Sequence, residues 1–172
     1  MKSKPLISAL IAISMIFSGC NYILDGSASI LKDMIDSSEM YRVDFPARNS
    51  GFSNLQNKVI RSEAELNEYI QFINGHQRWF NKTDFINALL GENKNFDTMN
   101  LLIYTHTEPS GSIGVMLSHS VREDENIVIY IARNVPQSGT GDMAYYAYAF
   151  KVKKTIPKVI FDLGDRRIEI SN

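Results

Sequence analysis

The spacing of apolar residues changes once along the chain, near residue 98. Before that point Leu66, Tyr69, Ile70 and Ile73 recur at helical spacing and form one apolar stripe. Ser62 precedes the stripe and Glu65 stands three residues on, the signature of a capping box. Glu63, Glu65 and Glu68 fill the first turns, where the helix dipole favours negative charge, and Asn74-Gly75 closes the run. A second short helix is predicted from Lys82 to Leu90, between the cap Asn81 and the stop Gly91. Tyr41–Val43 and Lys58–Ile60 read as short strands, with Pro46 and Asn49-Ser50-Gly51 marking the loop between them. Beyond residue 98 the period is 2. Asn100–Thr107, Ile113–Arg122, Asn126–Asn134, Met143–Lys153, Lys158–Leu163 and Arg167–Ile170 all read as strands. Ile127, Ile129 and Ile131 share one face of theirs, and Tyr146, Tyr148, Phe150 and Val152 one face of theirs. The short gaps Glu108–Ser112 and Glu123–Glu125 favour antiparallel neighbours over helical crossovers. The expectation is a single α+β domain over residues 41–172, with N-terminal helices packed on an antiparallel β-meander, a sandwich-like sheet.

The first residues follow a different logic. Lys2 and Lys4 precede an apolar run from Leu6 to Phe17, which Ser18 and Gly19 end just before Cys20. This is the layout of a cleaved signal peptide, and the run is too short for a good transmembrane span, which needs about 20 residues. Phe17-Ser18-Gly19-Cys20 resembles the lipobox of bacterial lipoproteins, with Phe17 where Leu is usual. That resemblance implies removal of residues 1–19 and lipid attachment at Cys20, the only cysteine of the chain. One acyl chain binds a membrane marginally, whereas two or three, at about 0.8 kcal/mol per buried methylene, hold it permanently. By the sorting rule of such lipoproteins, Asn21 in place of Asp favours an outer-membrane anchor facing the periplasm. Residues 20–40 then form the tether. Ile30, Leu31, Met34 and Ile35 in it suit either a short amphipathic helix or no structure at all.

Loss of Lys2 and Lys4 lowers the 18 basic residues to 16 against 19 acidic ones, a net charge of −3. That excludes a basic footprint for nucleic acid and a polybasic lipid patch. With Cys20 lipidated no thiol remains for a disulfide, so stability must come from a buried core.

Candidate chemistry is sparse. His76, His106 and His119 are the only histidines. If Glu108–Ser112 is a hairpin turn, His106 falls near Gly114 and His119 near Leu101, too far apart to share a metal. Ser118 and His119 are neighbours on a strand, so they are expected on opposite faces. There is no Gly-x-Ser-x-Gly elbow. Ser138-Gly139-Thr140-Gly141 lacks the lysine and the following helix of a phosphate loop. No metal, cofactor or catalytic residue is therefore expected, and the chain reads as a non-enzyme. Trp79, the only tryptophan, is either a plug between helices and sheet or a binding hot spot.

From Ser62 to Phe161 the chain resembles the PrcB-type domain of bacterial lipoproteins. The likeness is carried in order by the Ser62–Ile73 helix and by Phe96-Asp97 ahead of Leu101-Leu102-Ile103-Tyr104. The turn Pro109-Ser110-Gly111-Ser112-Ile113 follows, then an alternating Ile strand and Arg133-Asn134-Val135-Pro136. A Tyr-rich strand to Val152-Lys153 and Val159-Ile160-Phe161 complete it. Where the family often has Thr-Gly-Gly-Tyr, this chain has Ser110-Gly111-Ser112-Ile113. The resemblance implies a non-catalytic module that binds an envelope protein, with a protease complex as the candidate partner. An assembly accessory of the envelope or of a secretion system is the alternative, and a small envelope hydrolase a further one. The residues expected to touch the partner are Ser110, Gly111, Ser112 and Ile113 of the turn, with Gln137, Ser138, Gly139, Thr140, Gly141 and Asp142 of the longest loop.

Overall fold

A computed structural model describes residues 38–48, 50–77, 79, 81–91 and 95–172. Cys20 and the helix considered around Ile30–Ile35 lie outside the described residues. The described part runs β1 (Met40–Val43), a 3-10 turn (Ser50–Asn54), β2 (Lys58–Ile60), α1 (Glu63–Gly75) and α2 (Lys82–Gly91). Then come β3 (Met99–Glu108), β4 (Gly114–Glu123), β5 (Asn126–Asn134), β6 (Ala144–Lys153), β7 (Lys158–Asp162) and β8 (Arg167–Ser171). The architecture is α+β. The helices sit between β2 and β3 rather than at the N-terminus, because β1 and β2 return to pair with β6 and β3.

The strands do not form one meander. They divide into two four-stranded sheets, ordered β1-β6-β3-β2 and β4-β5-β7-β8. The first is antiparallel throughout, whereas β5 and β7 in the second run parallel. The connections after β3 and β5 do not turn back into the same sheet. They jump to the facing one, so β3 and β4, expected to pair, lie in different sheets. His106 is accordingly not beside Gly114; it pairs with Tyr146, while Gly114 pairs with Asn134.

Alternation on β3 and β6 builds the three layers. Leu102, Tyr104, Tyr148, Phe150 and Val152 face the second sheet, where they meet Ile127, Ile129, Val159 and Phe161. Leu101, Ile103, Ala147 and Ala149 face the helices. The division by size follows from spacing: sheets pack about 10 Å apart and need large side chains between them, whereas alanines let helices approach. The Tyr104 and Phe161 rings stack at 3.7 Å between centroids. Tyr146 and Tyr148 reach across the gap and donate hydroxyl hydrogen bonds to the Ile113 and Val115 carbonyls, at 2.7 and 3.2 Å. Each ring thus buries apolar area and satisfies its polar tip at once.

The helical layer closes on an aromatic cluster. Phe52 contacts Trp79 and Phe85 edge to face, at 5.8 and 5.3 Å, and Phe45 meets Phe85 at 4.7 Å. Trp79 is therefore a core plug, 5% exposed, one of the two roles open to it from sequence. Lys82 donates to the Asn74 and His76 carbonyls, both at 2.9 Å, and so ties the end of α1 to the start of α2. Among the described residues no helix is long and apolar enough to cross a membrane.

Candidate functional site

Register fixes where the long loops go. Glu108, the end of β3, pairs with Ala144, the start of β6; Gly114, the start of β4, pairs with Asn134, the end of β5. The connection from β3 to β4 and the connection from β5 to β6 therefore cross between the sheets side by side, over one mouth of the sandwich. The 110–113 turn and the 134–142 loop thus converge, by neighbouring crossovers rather than within a meander.

Ser110 stitches the two together. Its hydroxyl accepts from the Thr140 backbone N–H at 2.8 Å and lies 3.3 Å from the Thr140 hydroxyl and 2.9 Å from the Ser112 hydroxyl. The Gly111 N–H donates to the Asp142 carbonyl at 2.7 Å. A Cβ on Gly111 would run into the Asp142 carboxylate, which would have to turn away and give up its present place. Hydrogen bonding from Thr140, then from the Asp142 and Gly111 backbone, with Arg48 nearby, holds the Asp142 carboxyl below the usual range.

The candidate contact residues separate into two tiers. Ser110, Gly111 and Ile113 are buried and Ser112 is half-buried, so the turn is the buttress. Gln137, Ser138, Gly139, Thr140, Gly141 and Asp142 are exposed and form the outer rim. Two apolar side chains flank that rim, Val135 at 59% and Met143 at 51% exposure.

Beneath the mouth lies a charged cluster. Glu108 accepts two hydrogen bonds from Arg133, from Nε at 2.6 Å and Nη2 at 2.7 Å. His106 Nε2 lies 2.7 Å from the same carboxylate, and the Tyr104 hydroxyl lies 3.3 Å from His106 Nδ1. The Glu108 side chain is 1% exposed, that of Arg133 30%. Burial by itself would raise the Glu108 pKa; the bonds from Arg133 and His106 outweigh it and hold the carboxyl below its ordinary range. The same contact raises Arg133. This cluster clamps β3 of one sheet to β5 of the other. A histidine beside a carboxylate is also a component of acid–base sites, but here both oxygens are already engaged by Arg133 and the pair is buried, with His106 5% exposed.

Glu108 lies one residue past the strand expected over Asn100–Thr107, and Arg133 lies inside the one expected over Asn126–Asn134. Leu102-Tyr104-His106-Glu108 and Ile127-Ile129-Ile131-Arg133 continue the inward period of β3 and β5 to an acid and a base at the same end.

His119 sits elsewhere. A bulge between Leu117 and His119 breaks the alternation of β4. Ser118 Oγ therefore lies 3.1 Å from His119 Nδ1, where strict alternation puts the two on opposite faces. The His119 ring stacks on Tyr130 at 4.3 Å. Among the described residues no three His, Cys, Asp or Glu side chains converge as metal ligands. No family model, no curated protein and no solved structure matches the chain.

Proposed function

We propose that this chain is a membrane-anchored lipoprotein, held through lipid on Cys20 to the periplasmic face of the outer membrane, whose α+β domain binds another envelope protein without catalysis. The partner class suggested by the PrcB-type resemblance is an envelope protease complex, which the module would stabilise or regulate.

The observation that carries the binding half of this reading is the mouth of the sandwich. Two crossovers stitched through Ser110 hold an exposed rim in one conformation, with Val135 and Met143 as apolar anchors. A rim ordered before binding avoids the entropy cost of ordering on contact. The Glu108–Arg133 clamp supports the strand ends from which both crossovers spring. Tethering to the membrane raises effective concentration toward membrane partners without any further contact.

The test is a crosslinking pull-down from intact membranes, with the full chain tagged after Asn172 and a Cys20→Ser variant beside it, while acylation is followed by incorporation of labelled palmitate. Label on the wild type alone, and an envelope protein recovered more strongly with the wild type, is the expected outcome. Absence of label refutes the anchor. Acylated protein that recovers nothing refutes the binding module.

A further inference from the structure

The helical layer carries an open groove remote from the mouth in its chemistry and in its elements. Its volume is about 490 Å³, and it runs between the segment leading into β2 and the exposed side of α1. Asn54, Gln56 and Asn57 supply three carboxamides along one wall, and Phe72 and His76 supply ring surface on the other. Nearly half of Phe72 is open to solvent (48%), a large exposure for an aromatic side chain already braced by its neighbours. Tyr69 stacks beside it at 6.2 Å and His76 meets it edge to face at 4.7 Å. The ring is held in place, not free to turn away.

Two further observations point to a ligand. Asn57 Oδ1 accepts from both the Thr105 N–H and the Thr105 hydroxyl, at 2.8 and 3.1 Å. This fixes the carboxamide and leaves its NH2 as a preset donor with no protein partner among the described residues. Lys58 Nζ stands 5.5 Å over the Tyr69 ring, and Glu68 forms no ion pair among the described residues, so both charges sit at the groove.

We propose that this groove is a saccharide-binding site, with a sugar ring laid on Phe72 and its hydroxyl or acetamido groups bonded by Gln56, Asn57, Lys58 and Glu68. An aromatic face carries partial negative charge and attracts the C–H-rich face of a sugar. Carboxamides offer a donor and an acceptor side by side, which suits neighbouring hydroxyls that both give and receive. A peptide fits the same surface less well. Strand addition needs a free backbone edge, but β2 spans only Lys58–Ile60 and the Thr105 N–H beyond it is already taken by Asn57. A docking helix needs a predominantly apolar trough, and these walls are largely polar.

The protein contains its own probe. Trp79, the only tryptophan, stacks on His76 at 5.4 Å and 10° between planes. A ligand seated against His76 must alter its emission. Full-length protein would be titrated with tri-N-acetylchitotriose and with maltotriose, followed by Trp79 fluorescence and by calorimetry, alongside Phe72→Ala and Gln56→Ala. Both substitutions sit on exposed side chains, and thermal melts confirm that the fold is retained. Saturable binding of at least one sugar, weakened about tenfold or more by Phe72→Ala and about threefold by Gln56→Ala, is the expected result. No saturable signal with either sugar at millimolar concentration overturns the proposal. So does sugar binding that survives Phe72→Ala, or selection from a peptide library of a sequence that needs Phe72 while both sugars fail.

Discussion

Glu108 and Arg133 illustrate how a charge comes to lie in a core. Each continues the inward-facing period of its strand, and each finds the other across the gap between sheets. Removing one member of a buried pair leaves the other without compensation, at a cost of about 3–5 kcal/mol when fully enclosed. Solvent reaches 30% of the Arg133 side chain, so a loss of about 2–3 kcal/mol is expected for Glu108→Gln. The pH dependence has a definite sign. The folded-state pKa of Glu108 is depressed, so its stabilisation is complete above the ordinary glutamate value of 4.5 and is lost as pH falls through the folded value. The stability gap between wild type and Glu108→Gln, measured by urea denaturation, should be constant from neutral pH down to about pH 5 and narrow below it. A gap that stays constant into acid would contradict the assignment. Gly111 makes a second residue-scale case. A Cβ there displaces the exposed Asp142 carboxylate from its Thr140 bond, so Gly111→Ala should cost about 1 kcal/mol and loosen the rim, seen as a lower melting temperature and faster amide exchange at Thr140. None of this contact geometry was legible in the chain, because glycine and serine in a turn are expected whether or not a second loop packs on them.

At the scale of elements the pattern of the chain was a good guide to existence and a poor one to pairing. Helix α1 begins where Ser62 and Glu65 indicate: Ser62 Oγ accepts from the Glu65 N–H at 3.2 Å. The carboxylate of Glu65 reaches one residue further back than a standard capping box, to the Arg61 N–H at 2.8 Å. Ser62→Ala should therefore cost about 1 kcal/mol, measured by chemical denaturation, with little effect on the mouth. An unchanged stability would show that the cap is dispensable. The strands after residue 98 begin and end within a residue or so of their apolar alternation, since period 2 records burial on one face directly. Partner choice is another matter. A five-residue gap such as 109–113 serves a wide hairpin or a jump between facing sheets equally well, and alternation is the same in both. Only the doubly buried character of β3 and β6, apolar on both faces, hinted at a layer on either side. The β4 bulge was invisible for a similar reason: it inserts one residue, Ser118, and the positions around it still read as a strand.

For the whole molecule, three layers place two surfaces of different character. Crossovers gather at one mouth of the sandwich, where backbone leaves the ladders and must be satisfied by Ser110, Gly111 and Asp142. The helical layer carries the aromatic and carboxamide groove. Met40, the start of β1, pairs with Val152 near the end of β6, whereas the mouth lies at the other end of β6, beside Ala144. Deleting Gly139–Gly141 removes the rim's apex and the Thr140 bonds to Ser110 but leaves the ladders, so partner capture should fall while the domain still folds, with a modestly lower melting temperature. The most direct test of the central claim is site-specific photocrosslinking in intact membranes, with the photoreactive residue placed at Gln137, at Ser138 and, as a control, at Glu63 on the helical layer. The same protein adduct is expected from Gln137 and Ser138 and none from Glu63. Adducts from Glu63 alone, or none from the rim while the protein is anchored and folded, would contradict the claim.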